Sequence, residues 1–282
     1  MRRDTAPWSS EARVVVNFNN GNVNNNNRNN TALARAVRVS GEYQGEATVT
    51  FQALHRAFKR ARKGKKPSSN QMDFTVQWAD RLLGLERQIA AGTWQPLPTT
   101  CFIATRPKAR EIHAPDFSDR VVHHWLVPQL EKIYEPKFIH DSYANRKGKG
   151  SHAAVVRARQ FIRQVHSGQG GGFYLQLDIH NFFNSIPRRR LWTMLKERMV
   201  RCRVPHQAQL VAHALLRRGP TEQGVVYCAS PAQRAQVPAH KQLINAAPGC
   251  GIPIGNLSSQ FLANVYLDAL DQFAKHQLGA KR

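Results

Sequence analysis

The chain has 282 residues, 41% of them hydrophobic, enough for one large or two small domains with an ordinary globular core. Its 41 lysines and arginines against 18 acidic residues give a formal charge of +23, an excess that calls for a polyanionic partner, nucleic acid first, and argues against a merely solvated basic surface. No apolar run is long enough to span a bilayer and no apolar signal segment follows Arg2-Arg3, so a membrane role is disfavoured and a cytoplasmic protein is expected.

Residues 1–48 differ from the rest. From Asn17 to Asn30 asparagine dominates, almost nothing there can enter a core, and composition points to a disordered or irregular arm. A globular region is expected over 49–282. Phe51, Leu54, Phe58 and Ala61 recur at helical spacing, and Arg56, Lys59, Arg60 and Arg62 cover the remainder. After a basic break at Lys63–Ser69, the spacing of Phe74, Trp78, Leu82, Leu85 and Ile89 predicts a second amphipathic helix closed by Gly92. Thr99–Ala114 alternates and reads as a hairpin turning at Arg106-Pro107-Lys108. Ser118 is a candidate cap for a helix whose apolar face is Val121, Val122, Trp125, Leu126, Leu130 and Ile133. His123-His124 is a poor metal clamp, because adjacent helical residues point about 100° apart. Phe138–Ala154 carries Gly148 and Gly150 beside Arg146, Lys147 and Lys149, and a helix from His152 to Val165 presents Val155, Ala158, Phe161, Ile162 and Val165 on one side.

Three glycines, Gly170–Gly172, then punctuate a near-continuous apolar run, Phe173 to Ile179, that reads as a strand buried on both faces. Asp178 lies within it. A buried carboxylate costs several kcal/mol unless compensated, so either a metal or a basic side chain should face it. Helices are expected over Arg188–Val200 and Pro205–Arg217, and residues 218–248 form a polar, proline-containing connection with no functional reading. Pro248–Phe261 is a Gly/Pro-rich loop opening into a helix with Leu257, Phe261, Val265, Leu270 and Phe273 on one face. Cys101, Cys202, Cys228 and Cys250 are widely spaced without a Cys-x-x-Cys pair, which supports neither a zinc site nor a disulfide framework.

Asp178-Ile179 followed by Phe182-Phe183 and Ile186 resembles motif A of the reverse transcriptases, Asp-Ile-x-x-Phe-Phe-x-x-Ile. The resemblance implies that Asp178 and the Ile179 carbonyl face two catalytic Mg²⁺ ions and that Phe183 lies under the sugar of the incoming nucleotide. Ile254-Gly255-x-x-x-Ser259-Gln260 resembles motif B, normally Gln-Gly-x-x-x-Ser-Pro, with Ile254 and Gln260 as departures shared with the diversity-generating retroelement group. Ile254, Gly255 and Gln260 are then implied to bear on the templating base pair and the nucleotide. A lost glutamine there relaxes discrimination, since polar contacts select more sharply than apolar shape. Lys108 and Arg110 resemble the fingers strand that holds the triphosphate, and the Ser142–Ser151 block resembles a nucleic-acid-contacting segment carrying Arg146, Lys147 and Lys149.

The fold implied is α/β (α+β), reverse-transcriptase fingers with an incomplete palm. The implied activity is RNA-directed DNA polymerase with deoxynucleoside triphosphates as substrates, and template RNA and primer or cDNA as partners, with a basic accessory protein as a further one. The family's Tyr-x-Asp-Asp turn has no counterpart before Arg282, and Asp268 and Asp271 read as solvated charges on a helix surface. The expectation is a C-terminally truncated chain, inactive alone. The Asn-rich arm also resembles a translated template repeat of a diversity-generating retroelement, with a true start near Val49; a plain low-complexity extension is the alternative. A group II intron reverse transcriptase and a non-catalytic nucleic-acid-binding relic are the competing readings.

Overall fold

In the computed structural model, which describes residues 13–17, 49–64, 66–168 and 173–279, the hydrophobic spacing becomes a helix-rich α/β fold. The Asn-rich arm lies outside the described residues apart from the strand β1 (Arg13–Asn17), and Gly170–Gly172 lie outside them too.

Thr50 caps α1 (Phe51–Arg62): its hydroxyl accepts the Ala53 amide at 3.2 Å, and Lys59, Arg60 and Arg62 complement the negative end of the helix dipole. The periodicity over 74–89 divides into α2 (Ser69–Val76) and α3 (Trp78–Ala90), because Gln77 leaves helical geometry (φ −118°, ψ 34°). The break lets two aromatic rings serve one cluster from different directions. Phe74 packs on Phe117 at 5.2 Å while Trp78 stacks on Phe58 at 6.0 Å.

The central post is α4 (Phe117–Tyr134), whose buried face includes Phe117, Val121, Val122, Trp125, Leu126 and Leu130. Its cap is Asp116 rather than Ser118. The Asp116 carboxylate accepts the Ser118 amide at 2.8 Å and its hydroxyl at 2.7 Å, so Ser118 serves as donor to the cap. Around α4 pack α1, the paired helices α6 (Arg188–Arg201) and α7 (His206–Arg217), and α8 (Leu257–Gln272). No helix of the described residues is long and apolar enough to cross a membrane.

The alternating stretch forms the expected hairpin, β2 (Thr99–Ala104) antiparallel to β3 (Arg110–Ala114), in register Thr100↔Ala114 to Ala104↔Arg110. The connection 218–248 adds an element that its polar composition conceals. Val225–Tyr227 forms a further strand (β5 in chain order) running parallel to β2, giving a sheet ordered β3-β2-β5.

Two expectations of burial fail together. Helix α5 (Ser151–His166) buries only Phe161, leaving Val155 and Ile162 open to solvent. The strand after it, β4 (Tyr174–Leu177), pairs among the described residues with β1 alone, and Phe173 and Tyr174 are 88% and 73% exposed. An apolar strand is buried only when layers cover it, and no layer of the described residues covers this one.

Candidate functional site

Three stretches that are distant in the sequence are joined through their main chains. Following β4, Asp178 is exposed and Ile179 half-buried. Asn181, in left-handed conformation (φ 51°), starts the single helical turn Phe182–Ser185. Phe182 and Phe183 are half-buried and stand edge to face at 5.5 Å, and the Phe182 ring lies 6.4 Å from that of Tyr266 in α8.

The loop before α8 zips along this turn. Ile252 donates to the Phe183 carbonyl at 3.0 Å, Gly251 to the Ile186 carbonyl at 2.9 Å, and Arg188 to the Gly249 carbonyl at 3.0 Å. Arg188 also reaches the Cys250 carbonyl (2.6 Å) and Glu222 (2.6 Å) with its guanidinium, fixing the loop from the side. The same loop is bonded to the sheet: His113 of β3 donates to the Ile254 carbonyl at 2.8 Å. Gly255 (φ +119°) makes that approach feasible, since a Cβ there would sit 2.8 Å from Ile112 Cγ2. Gln260 is half-buried in the first turn of α8.

Lys108 lies exposed in the β2–β3 turn and Arg110 exposed at the start of β3. The strand that carries Arg110 therefore rests on the loop that carries Ile254, and that loop rests on the turn that carries Phe183. Asp178 is exposed rather than enclosed in a covered strand, so burial does not by itself call for a cation there. Two Mg²⁺ ions take several rigidly held oxygen ligands. Among the described residues no group of three or more His, Cys, Asp or Glu side chains converges for a metal.

Glu111, which follows Arg110 on the strand that resembles the triphosphate-holding one, ties the uninterpreted connection to this assembly. It is buried in β3 and accepts the Leu243 amide at 2.7 Å, with His113 Nε2 at 3.4 Å. Burial pushes its carboxyl up, but the His113 and Leu243 hydrogen bonds, together with the charges of His113 and Arg234, hold it below the usual glutamate value. From the other side Asn184 donates to the Lys241 carbonyl at 3.0 Å, Asn181 to the His240 carbonyl, and the His180 and His240 rings stack at 5.2 Å. Residues 239–245 thus bridge β3 and the Phe182–Ser185 turn. The only sequence signal was an acidic residue inside a half-buried strand.

The basic candidates before α5 divide. Arg146 is turned inward: its side chain is 8% exposed, pairs with Glu135 at 2.9 Å, and donates to the Ile139 and Ser142 carbonyls at 2.9 Å each. Lys147 is exposed. Lys149 lies 4.7 Å above the Tyr143 ring and donates to the His140 carbonyl, and burial, then Arg146, lowers its pKa. Lys149, Tyr143, Arg157 and His140 line an open groove of about 360 Å³. Asn264 of α8 donates to the Ala144 carbonyl at 2.6 Å, anchoring this loop to the helix that follows Ile254.

Asp268 and Asp271 are not the solvated pair their spacing suggested. Asp268 is buried and accepts from Gln272 at 2.9 Å; burial raises both carboxyls, and Asp271, with Asp268 beside it, rises to about 6. The reason is the broad contact of α8, which spends more than one face on its neighbours.

No protein-family model matches the chain. Over 243 residues it is 21% identical to "Protein YkfC" of Escherichia coli (strain K12), an alignment covering 86% of this chain and 54% of that protein. Over 159 residues it is 28% identical to the "Uncharacterized 91 kDa protein in cob intron" of Schizosaccharomyces pombe (strain 972 / ATCC 24843), covering 56% of this chain and 16% of that protein. The chain therefore spans about half of the first relative and a much smaller part of the second. It is a distant relative of both, one of them a protein of an intron.

Proposed function

We propose that this chain forms the fingers and part of the palm of an RNA-directed DNA polymerase that copies a template RNA into error-prone cDNA. The observation that carries the reading is the main-chain joining of β3, the Phe183–Arg188 turn and the Gly249–Gly255 loop. These are the stretches whose residues resemble the triphosphate-holding strand, motif A and motif B.

In this reading Lys108 and Arg110 meet the triphosphate of a deoxynucleotide, where charge-assisted contacts are strongest. Phe183 supports its sugar, and Ile254, Gly255 and Gln260 bear on the base pair. Lys147 and Lys149 meet template phosphates, while Arg146 shapes the loop that presents them. Asp178 and the Ile179 carbonyl are this chain's share of a Mg²⁺ site, and no transfer step is assigned to them alone. The chemistry left to these residues is binding and positioning. Ile254 and Gln260 favour the diversity-generating type. The relative in a cob intron favours the intron-encoded type as a second reading.

The test is equilibrium binding of the 282-residue chain to a DNA primer annealed on RNA and to duplex DNA of the same length, at several salt concentrations. The primed RNA is expected to bind more tightly, with affinity falling steeply as salt rises. Added deoxynucleotide should tighten the complex in the parent but not in Arg110→Ala. Equal affinity for both nucleic acids, untouched by nucleotide, would overturn the polymerase reading and leave a non-catalytic binder.

A further inference from the structure

Beneath the start of α8 is a cavity of about 30 Å³, walled by α4, by α7 at Leu215 and Leu216, and by the loop reaching Asn256. Three of its lining side chains hold buried polar atoms with no partner among the described residues: Asp119 Oδ1, both ring nitrogens of His123, and Asn256 Oδ1. Asp119 and His123 are each 2% exposed. They lie one helical turn apart on α4, on the same side, yet neither bonds to the other. Asn256 is the residue that opens α8, and its side chain makes no capping bond.

A buried polar atom left unpaired costs about 1–3 kcal/mol, and native proteins pair nearly all of them. Several such atoms on the walls of one cavity therefore call for an occupant. The space excludes an organic molecule. No lysine or arginine lines it to hold an anion. An amide oxygen only accepts, a neutral imidazole offers one donor and one acceptor, and a carboxyl accepts and, when protonated, also donates, so the occupant must both donate and accept. Water does both, and about 30 Å³ accommodates about two molecules.

We propose that this cavity is a built hydration site, in which ordered water bridges Asp119, His123 and Asn256 and ties α4 to the residue that precedes α8. Pro253 and Asn256, which flank Ile254-Gly255, both line it, so the water positions the loop bonded to β3. The site holds whether or not the chain is part of a polymerase.

A high-resolution crystal structure of the 282-residue chain, with magnetic relaxation dispersion to count long-lived internal water, tests the site. Density for water within hydrogen-bond reach of Asp119, His123 and Asn256 is expected. The count of long-lived waters should fall by about two in His123→Phe, whose larger ring fills the space. A dry cavity, an unchanged count in a folded His123→Phe, or an anomalous signal from a metal ion would each overturn the proposal. The parent density decides the question even if that variant does not fold.

Discussion

Residue 119 is a carboxyl shut away from bulk solvent. Burial pushes Asp119 from 3.8 up to about 8; the Leu97 amide, bonded at 2.7 Å, opposes the rise, and Asp116 adds to it. His123, held down to about 3 first by burial, then by His124 and Arg120, stays neutral throughout that range. The folded-state value lies above the unfolded one, so folding takes up a proton between them. Stability from this group is full below about pH 4 and is lost as pH rises to about 8. Relative to Asp119→Asn, the unfolding free energy of the parent should fall by up to about 1.4 kcal/mol per pH unit across that window. Denaturant unfolding of both at several pH values checks it, and parallel pH profiles would refute the buried proton. A sequence shows that a residue can titrate but not how much water reaches it, which is why Asp119, Glu111 and Asp268 were illegible and Arg146 looked like a free cation.

Elements were more legible. The hairpin, the helix starting after Thr50 and the apolar stripe of α4 follow from local periodicity and turn chemistry, which a chain carries in itself. What periodicity leaves undecided is whether a neighbour arrives. The stripe of α5 reads like that of α4, yet only Phe161 is covered. β5 leaves no such signal, because three residues give no period. The contact between loop and sheet at Gly255 offers a measure of how closely the two elements are fitted. Gly255→Ala adds a methyl 2.8 Å from Ile112 Cγ2 in a left-handed backbone, whereas Gly249→Ala (φ +73°) meets nothing within 4 Å. Both carry a backbone cost on the order of 1–2 kcal/mol, but only the first must also push aside the Ile112 side chain of β3. Urea unfolding should show Gly255→Ala as the more destabilised of the two; equal losses would mean that the loop does not press on the strand.

At the scale of the molecule, a charge of +23 on 282 residues keeps copies of the chain apart in dilute salt. β4 works against this. Its second edge is unpaired among the described residues, and Phe173, Tyr174 and Leu175 lie open beside it. Unblunted strand edges with apolar side chains recruit other strands. Salt shortens the reach of the repulsion from about 30 Å at 0.01 M to about 8 Å at physiological strength, while leaving the apolar attraction intact. Colloidal stability of this protein should therefore run opposite to that of a protein salted in: light scattering ought to rise between low and moderate salt, and Tyr174→Lys should suppress the rise. Scattering that stays flat in the parent would show that the edge is shielded. The practical consequence is that nucleic acid, by neutralising the same charge, can drive the chain into aggregates as well as complexes, so a binding isotherm should be read alongside turbidity.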